Sequence, residues 1–189
     1  PNILKSAFEE TLCGRVEKLQ TGNGMEEGIG VGPLVNDSAV VKVEQQVEDA
    51  REKGAGVPVG GVRLTGGEHA NGHFFAPTVL TNVQPHMTIY REETFGPVAP
   101  VIGYDDADEV IELANDTNYG LAAYVYTRDI AVAMRAFEQL RFGIIGINDV
   151  NPTSASVPFG GMGDSGIGRE GGHEGISEYL ETKTGGFAI

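Results

Sequence analysis

Val98-Ala99-Pro100-Val101-Ile102-Gly103 at one end and Phe142-Gly143-Ile144-Ile145-Gly146-Ile147 at the other bracket the stretch that decides the fold. Both are short, nearly continuous apolar runs, the pattern of strands buried on two faces. Between them lie a helical pattern at 106–115 with Val110, Leu113 and Ala114 on one side and a third apolar run at 121–126. A second helical pattern follows at 129–140, with Ile130, Ala133 and Phe137 on one side. The order is strand, helix, strand, helix, strand, and its crossovers should be right-handed. The expected fold class is α/β, an open, mainly parallel sheet with helices on both faces. Ligands of such sheets sit beyond the carboxyl ends of the strands. That rule singles out the loop from Asn148 to Phe159, shaped by Pro152 and Pro158, as functional.

On the N-terminal side, Phe8, Leu12, Val16 and Leu19 recur at helical spacing and predict an amphipathic helix over 4–19, closed by the turn Gly22-Asn23-Gly24. A second helix has Asp37 or Ser38 as its N-cap, Val40, Val43, Val47 and Ala50 on one face, and Gly54 just past its end. Short β-rich runs follow at 57–59 and 74–80. On the C-terminal side, a short helix near 174–180 leads into Thr182 to Ile189, a candidate terminal strand that would have to find a partner edge.

The 189 residues suffice for a sizeable buried core, and 40% hydrophobic content is ordinary for a folded chain. A net charge of −14, spread along the sequence, would repel polyphosphate backbones and argues against nucleic acid as a partner. No apolar run approaches the roughly 20 residues that cross a bilayer, and no basic start precedes an apolar signal core, so no membrane partner and a cytoplasmic location are expected. The single cysteine, Cys13, excludes an intramolecular disulfide and a cysteine-based zinc cluster.

Several motifs have bland readings that outweigh the sharp ones. Gly161-Met162-Gly163-Asp164-Ser165-Gly166 and the overlapping Gly166 to Gly171 both match G-x-G-x-x-G, yet no strand leads into them, so tight-turn glycines are the better account. Cys13 lies mid-helix, remote in sequence from any histidine, and reads as a structural thiol. His69 and His73 flank the turn Ala70-Asn71-Gly72 and would not share a helical face, so no metal is expected. Of the adjacent carboxylates Glu92 and Glu93, at most one should face a ligand, because neighbouring residues point apart.

Glu92-Glu93-Thr94-Phe95-Gly96-Pro97-Val98 resembles the E-E-x-F-G-P-V signature of NAD(P)-dependent aldehyde dehydrogenases. Gly32-Pro33-Leu34-Val35-Asn36, Asn118-Tyr119-Gly120-Leu121-Ala122-Ala123, Pro158-Phe159-Gly160-Gly161, Ser165-Gly166-Ile167-Gly168-Arg169-Glu170 and Tyr179-Leu180-Glu181-Thr182-Lys183 appear in the order that family shows. The resemblance therefore covers essentially the whole chain. It implies that Glu93 hydrogen-bonds the nicotinamide ribose of NAD or NADP and that Phe95 packs beside the nicotinamide. Physically, a carboxylate can accept from two ribose hydroxyls, and an aromatic edge restricts the ring.

The resemblance further implies that Asn148 to Phe159 lines a substrate tunnel, with Phe159 on its wall and Thr153 at a position that varies with substrate. Arg169 and Glu181 are implied to be structural. Residues 1–172 are implied to be the C-terminal part of the catalytic domain and 173–189 an oligomerisation tail. The tail's strand would join a neighbouring subunit in a homodimer or homotetramer. The reaction implied is oxidation of a small aldehyde through a cysteine thioester, with no catalytic residue in this chain: the nucleophilic cysteine and the base glutamate would lie upstream of Pro1. Within the family, Gly168 to Gly172 and Gly175 to Lys183 look most like succinate-semialdehyde dehydrogenases, where the position of Thr153 carries a hydroxyl that helps hold the substrate carboxylate. Betaine-aldehyde or glutamate-semialdehyde specificity, or a non-catalytic binding module, are the alternatives.

Overall fold

The computed structural model describes residues 1–188, which divide into two compact units, Pro1–Asp105 and the residues from Asp106 on. In the first unit, α1 (Asn2–Val16) is followed by the paired strands β1 (Gln20–Thr21) and β2 (Ile29–Val31) and then by α2 (Asp37–Glu52). Next come β3 (Gly56–Val59), β4 (Arg63–Leu64), β5 (Phe74–Phe75), β6 (Thr78–Thr81), α3 (Thr88–Arg91) and β7 (Val98–Pro100). The second unit contains α4 (Ala107–Asn115), β8 (Tyr119–Gly120), β9 (Ala122–Val125), α5 (Ile130–Gln139), β10 (Ile144–Ile147), β11 (Met162–Gly163) and α6 (Glu174–Ser177).

The content is mixed α and β, as expected, but the sheets are not mainly parallel. Pairs β1–β2, β6–β7 and β9–β10 are parallel, whereas β3–β6, β4–β5 and β8–β11 are antiparallel. The expected strand–helix series divides at Asp105: β7 pairs with β6, and β9, α5 and β10 form one parallel crossover in the second unit. The sequence pattern marks buried strands but not their partners, and Gly60-Gly61, with φ of +73° and +79°, lets β3 turn back so that it runs antiparallel to β6.

The core of the first unit is α2 set against this sheet. Val40, Val43, Val47 and Ala50, the face read from the sequence, are fully buried with Phe75, Leu80, Val83 and Met87. Burying side chains of that size is worth about 1.5–3 kcal/mol each. Its N-cap is Asn36, one residue earlier than expected, whose side chain accepts from Ala39 N at 2.9 Å. Gly54 ends it at φ +99°.

Three other expectations are corrected. Helix α1 stops at Val16 rather than residue 19, because Gln20–Thr21 leaves to pair with Ile29–Val31; none of its residues is fully buried. On α5 the buried face is Ala133 and Ala136, with Ile130 and Phe137 exposed, and on α4 it is Ile111. Residues 181–188 are exposed and form no strand, since a lone strand has no ladder without a partner edge; Ile189 lies outside the described residues. No helix among the described residues is long and apolar enough to cross a membrane.

Candidate functional site

In the first unit the segment after α3 is pinned to α2. Thr94 Oγ1 donates to Gln46 Oε1 at 2.7 Å, and Gln46 Nε2 reaches the Glu93 carbonyl at 3.5 Å. Gln46 is only 2% exposed, a buried amide whose polar atoms are spent on this loop. Gly96 sits where a Cβ would come within 2.7 Å of Val43 Cγ2, so the backbone lies directly on the helix. The Pro97 carbonyl then accepts from Thr78 N at 2.8 Å and starts β7. With the backbone seated inward, Glu93 is exposed and Phe95 stands 79% exposed. The loop holds a carboxylate and an aromatic ring out of the surface on a rigid base.

Upstream, Asp49 of α2 accepts from Lys53 Nζ at 2.6 Å and from Thr88 N at 2.8 Å, tying down the start of α3. The Lys53 ammonium first, and the Thr88 amide second, hold its carboxyl below the usual value of 3.8.

The second unit presents the loop beyond the carboxyl ends of β9 and β10. Asn148, at φ +54°, uses its whole amide on one neighbour: Nδ2 donates to Thr127 O at 2.8 Å and Oδ1 accepts from Thr127 N at 3.0 Å. This two-point clasp sets the direction in which the chain leaves the sheet. Asp149 Oδ1 then accepts from Asn151 N at 2.9 Å, and Thr153 Oγ1 donates to Asn151 Oδ1 at 3.0 Å. Thr153 is half-buried and Asn151 exposed.

Phe159 lies at the far end of that loop, bridged antiparallel to Glu170 by two backbone hydrogen bonds of 2.7 Å. It is 40% exposed and lines a cavity of about 650 Å³ with Leu121, Arg169, Ile176 and Tyr179 around a glycine floor. Thr153 does not line that cavity. Arg169 Nη1 donates to the carbonyls of Gly161 and Gly168 at 2.8 and 2.7 Å, which holds the glycine turns together. No helix opens on Gly166; Gly163, Gly166, Gly168 and Gly171 all have positive φ, the tight-turn geometry expected of them.

Cys13 sits half-buried in the body of α1. His69 Nε2 lies 2.8 Å from Thr21 O with its ring edge-on to Phe74. Among the described residues no group of three His, Cys, Asp or Glu could hold a metal ion. Sequence reasoning missed Gln46, Asn148 and Asn151. A polar residue inside the apolar stripe Val43–Val47 was the available signal for Gln46, and an asparagine directly after a buried strand was that for Asn148.

The chain belongs to the aldehyde dehydrogenase family, whose profile matches residues 2–185. It is 48% identical over 180 residues to an aspartate-semialdehyde dehydrogenase (non-phosphorylating) of Halomonas elongata, covering 95% of this chain and 36% of that protein. It is 46% identical over 176 residues to the NADP(+) succinate-semialdehyde dehydrogenase of Escherichia coli, with 93% and 36% covered. The crystal structure of betaine aldehyde dehydrogenase from Staphylococcus aureus in complex with NAD+ superposes with a TM-score of 0.90 at 43% identity, over 96% of this chain and 36% of that one. The chain thus spans about a third of the length of the curated relatives it matches.

Proposed function

We propose that these residues form the cofactor-ribose clamp and part of the substrate wall of a cytoplasmic NAD(P)+-dependent aldehyde dehydrogenase. The enzyme oxidises a short acidic aldehyde, with succinate semialdehyde as the leading case, to the carboxylic acid through a cysteine thioester. The observation that carries this reading is the rigid 93–97 loop: its backbone is fixed by the buried Gln46 and by Val43, while Glu93 and Phe95 remain exposed. A free carboxylate beside a free aromatic face fits a ribose diol next to a nicotinamide. In that arrangement Glu93 accepts the ribose hydroxyl protons and Phe95 limits the ring to one tilt. When bound, NAD(P)+ accepts the hydride that leaves the aldehyde carbon.

The nucleophile belongs to polypeptide outside these 189 residues, since Cys13, half-buried in a helix, has no base beside it and the relatives are nearly three times longer. Nucleophilic catalysis needs a thiol, an activating base and oxyanion donors together. The segment 173–189 acts as the oligomerisation tail, its strand forming only against a neighbouring subunit's sheet.

The test is NAD(P)H formation by the intact enzyme. Glu93→Gln is expected to lower turnover about 10- to 100-fold, the loss of a hydrogen bond to a charged group, and Cys13→Ser to leave it unchanged. An unchanged Glu93→Gln enzyme removes the clamp, and aldehyde oxidation by the 189-residue chain alone removes the assignment of the nucleophile. Succinate semialdehyde against betaine aldehyde decides the specificity, because one carries a negative and the other a positive charge.

A further inference from the structure

This inference rests on reading residues 148–159 as the substrate loop, and it concerns which side chain there meets the substrate's charged end. A threonine hydroxyl has one proton to give. In Thr153 that proton is directed to Asn151 Oδ1 at 3.0 Å, and the hydroxyl is half-buried. Thr153 therefore presents lone pairs, which a carboxylate would repel. Asn151 has the opposite character. Its carbonyl oxygen is engaged by Thr153, its backbone N–H is engaged by Asp149 at 2.9 Å, and among the described residues nothing accepts from its Nδ2. A carboxamide whose oxygen is occupied offers two N–H donors, and Asn151 is exposed.

We propose that Asn151 is the specificity-determining residue of this loop. Its Nδ2 amide binds the terminal carboxylate oxygen of an acidic aldehyde, and Thr153 is a positioning residue that locks the amide with its N–H groups outward. The pair supplies a directional donor to an anion without adding a cation to a chain of net charge −14. The hydrogen bond reaches an ionised acceptor, where such bonds are strongest.

The experiment uses the intact enzyme with succinate semialdehyde and with butanal, a neutral aldehyde of the same carbon count. Asn151→Ala should raise KM for succinate semialdehyde about tenfold or more while leaving kcat and the butanal KM in place, so butanal turnover also reports that the variant folds. Asn151→Asp, which sets a like charge against the substrate, should raise it further. Thr153→Val should give a smaller rise that vanishes on the Asn151→Ala background, because Thr153 acts through Asn151. A KM for succinate semialdehyde that Asn151→Ala leaves unchanged overturns the proposal, as does a Thr153→Val effect that persists at full size without Asn151. Equal rises for both aldehydes also overturn it, since the role would then be structural. A wild-type enzyme that oxidises butanal but not succinate semialdehyde sinks this inference alone, and one that oxidises no aldehyde sinks the parent reading with it.

Discussion

The two candidate loops are held in opposite ways. Residues 93–97 are fastened from below, by a buried glutamine and by backbone seated against Val43 inside the main core of the first unit. Residues 148–153 are fastened along their own length, by short-range bonds among Asn148, Asp149, Asn151 and Thr153 at the surface. A loop built on the core cannot change shape without a cost to the whole unit, which suits a part that grips an invariant cofactor. A loop held by its own side chains can be altered one residue at a time, which suits a part that selects among substrates. Preorganisation is achieved in both, but only the second is separable from stability.

The strongest way to break this contrast is to attack Gln46. Gln46→Ala leaves the Thr94 hydroxyl without its buried partner and opens a void in the face of α2, and should cost about 2–4 kcal/mol in urea unfolding. It should also weaken cofactor binding through a loosened Glu93, although it touches no ligand. Gly96→Ala should follow at about 1–3 kcal/mol, because the added methyl overlaps Val43 Cγ2. If either variant keeps wild-type stability, the first loop does not rest on the core.

Asn148 probes the other side. Asn148→Gly tolerates the positive φ but loses both bonds to Thr127, and should cost about 1 kcal/mol or less globally. Amide hydrogen exchange over 149–158 should nonetheless rise severalfold while the β9–β10 ladder stays protected. Asn148→Ala adds left-handed strain of about 1–2 kcal/mol to the same loss. Loss of protection in β10 as well as the loop would show the second loop to be core-dependent too, and the contrast would fall.

How far the sequence discloses this arrangement follows the same division. Val40, Val43, Val47 and Ala50 announce α2 because burial imposes a helical period, and β9, α5 and β10 fall within a residue or two of their expected bounds. Glu93, Phe95 and Phe159 are reached through ordered motifs. Pairing direction is not legible, since an apolar run looks alike in either orientation, and so the mixed sheet around β6 appears only in three dimensions. Ile130 and Phe137 mislead because apolar spacing marks a face without saying whether anything covers it. The hydrogen bond between Thr153 and Asn151 is hidden for another reason: any loop rich in Asn, Asp and Thr can form several such pairs.

The smallest expected effect is a dependence on acid at the entry to the first loop. The carboxyl of Asp49 is held below its ordinary value of 3.8 by Lys53 and by the Thr88 amide. A depressed carboxyl contributes stability that is present above the unfolded value and is lost as pH falls through the folded one. The pair is near the surface and screened, so the contribution is about half a kcal/mol or less. Wild type should therefore exceed Asp49→Asn in stability by a constant margin above pH 3.8, and the margin should close below it. Because Thr88 opens the short helix leading directly to Glu93, exchange of the Thr88 amide should quicken over the same range. A margin that widens on acidification would show that Asp49 is not tying α3 to α2, and that Gln46 and Val43 alone fasten the cofactor loop.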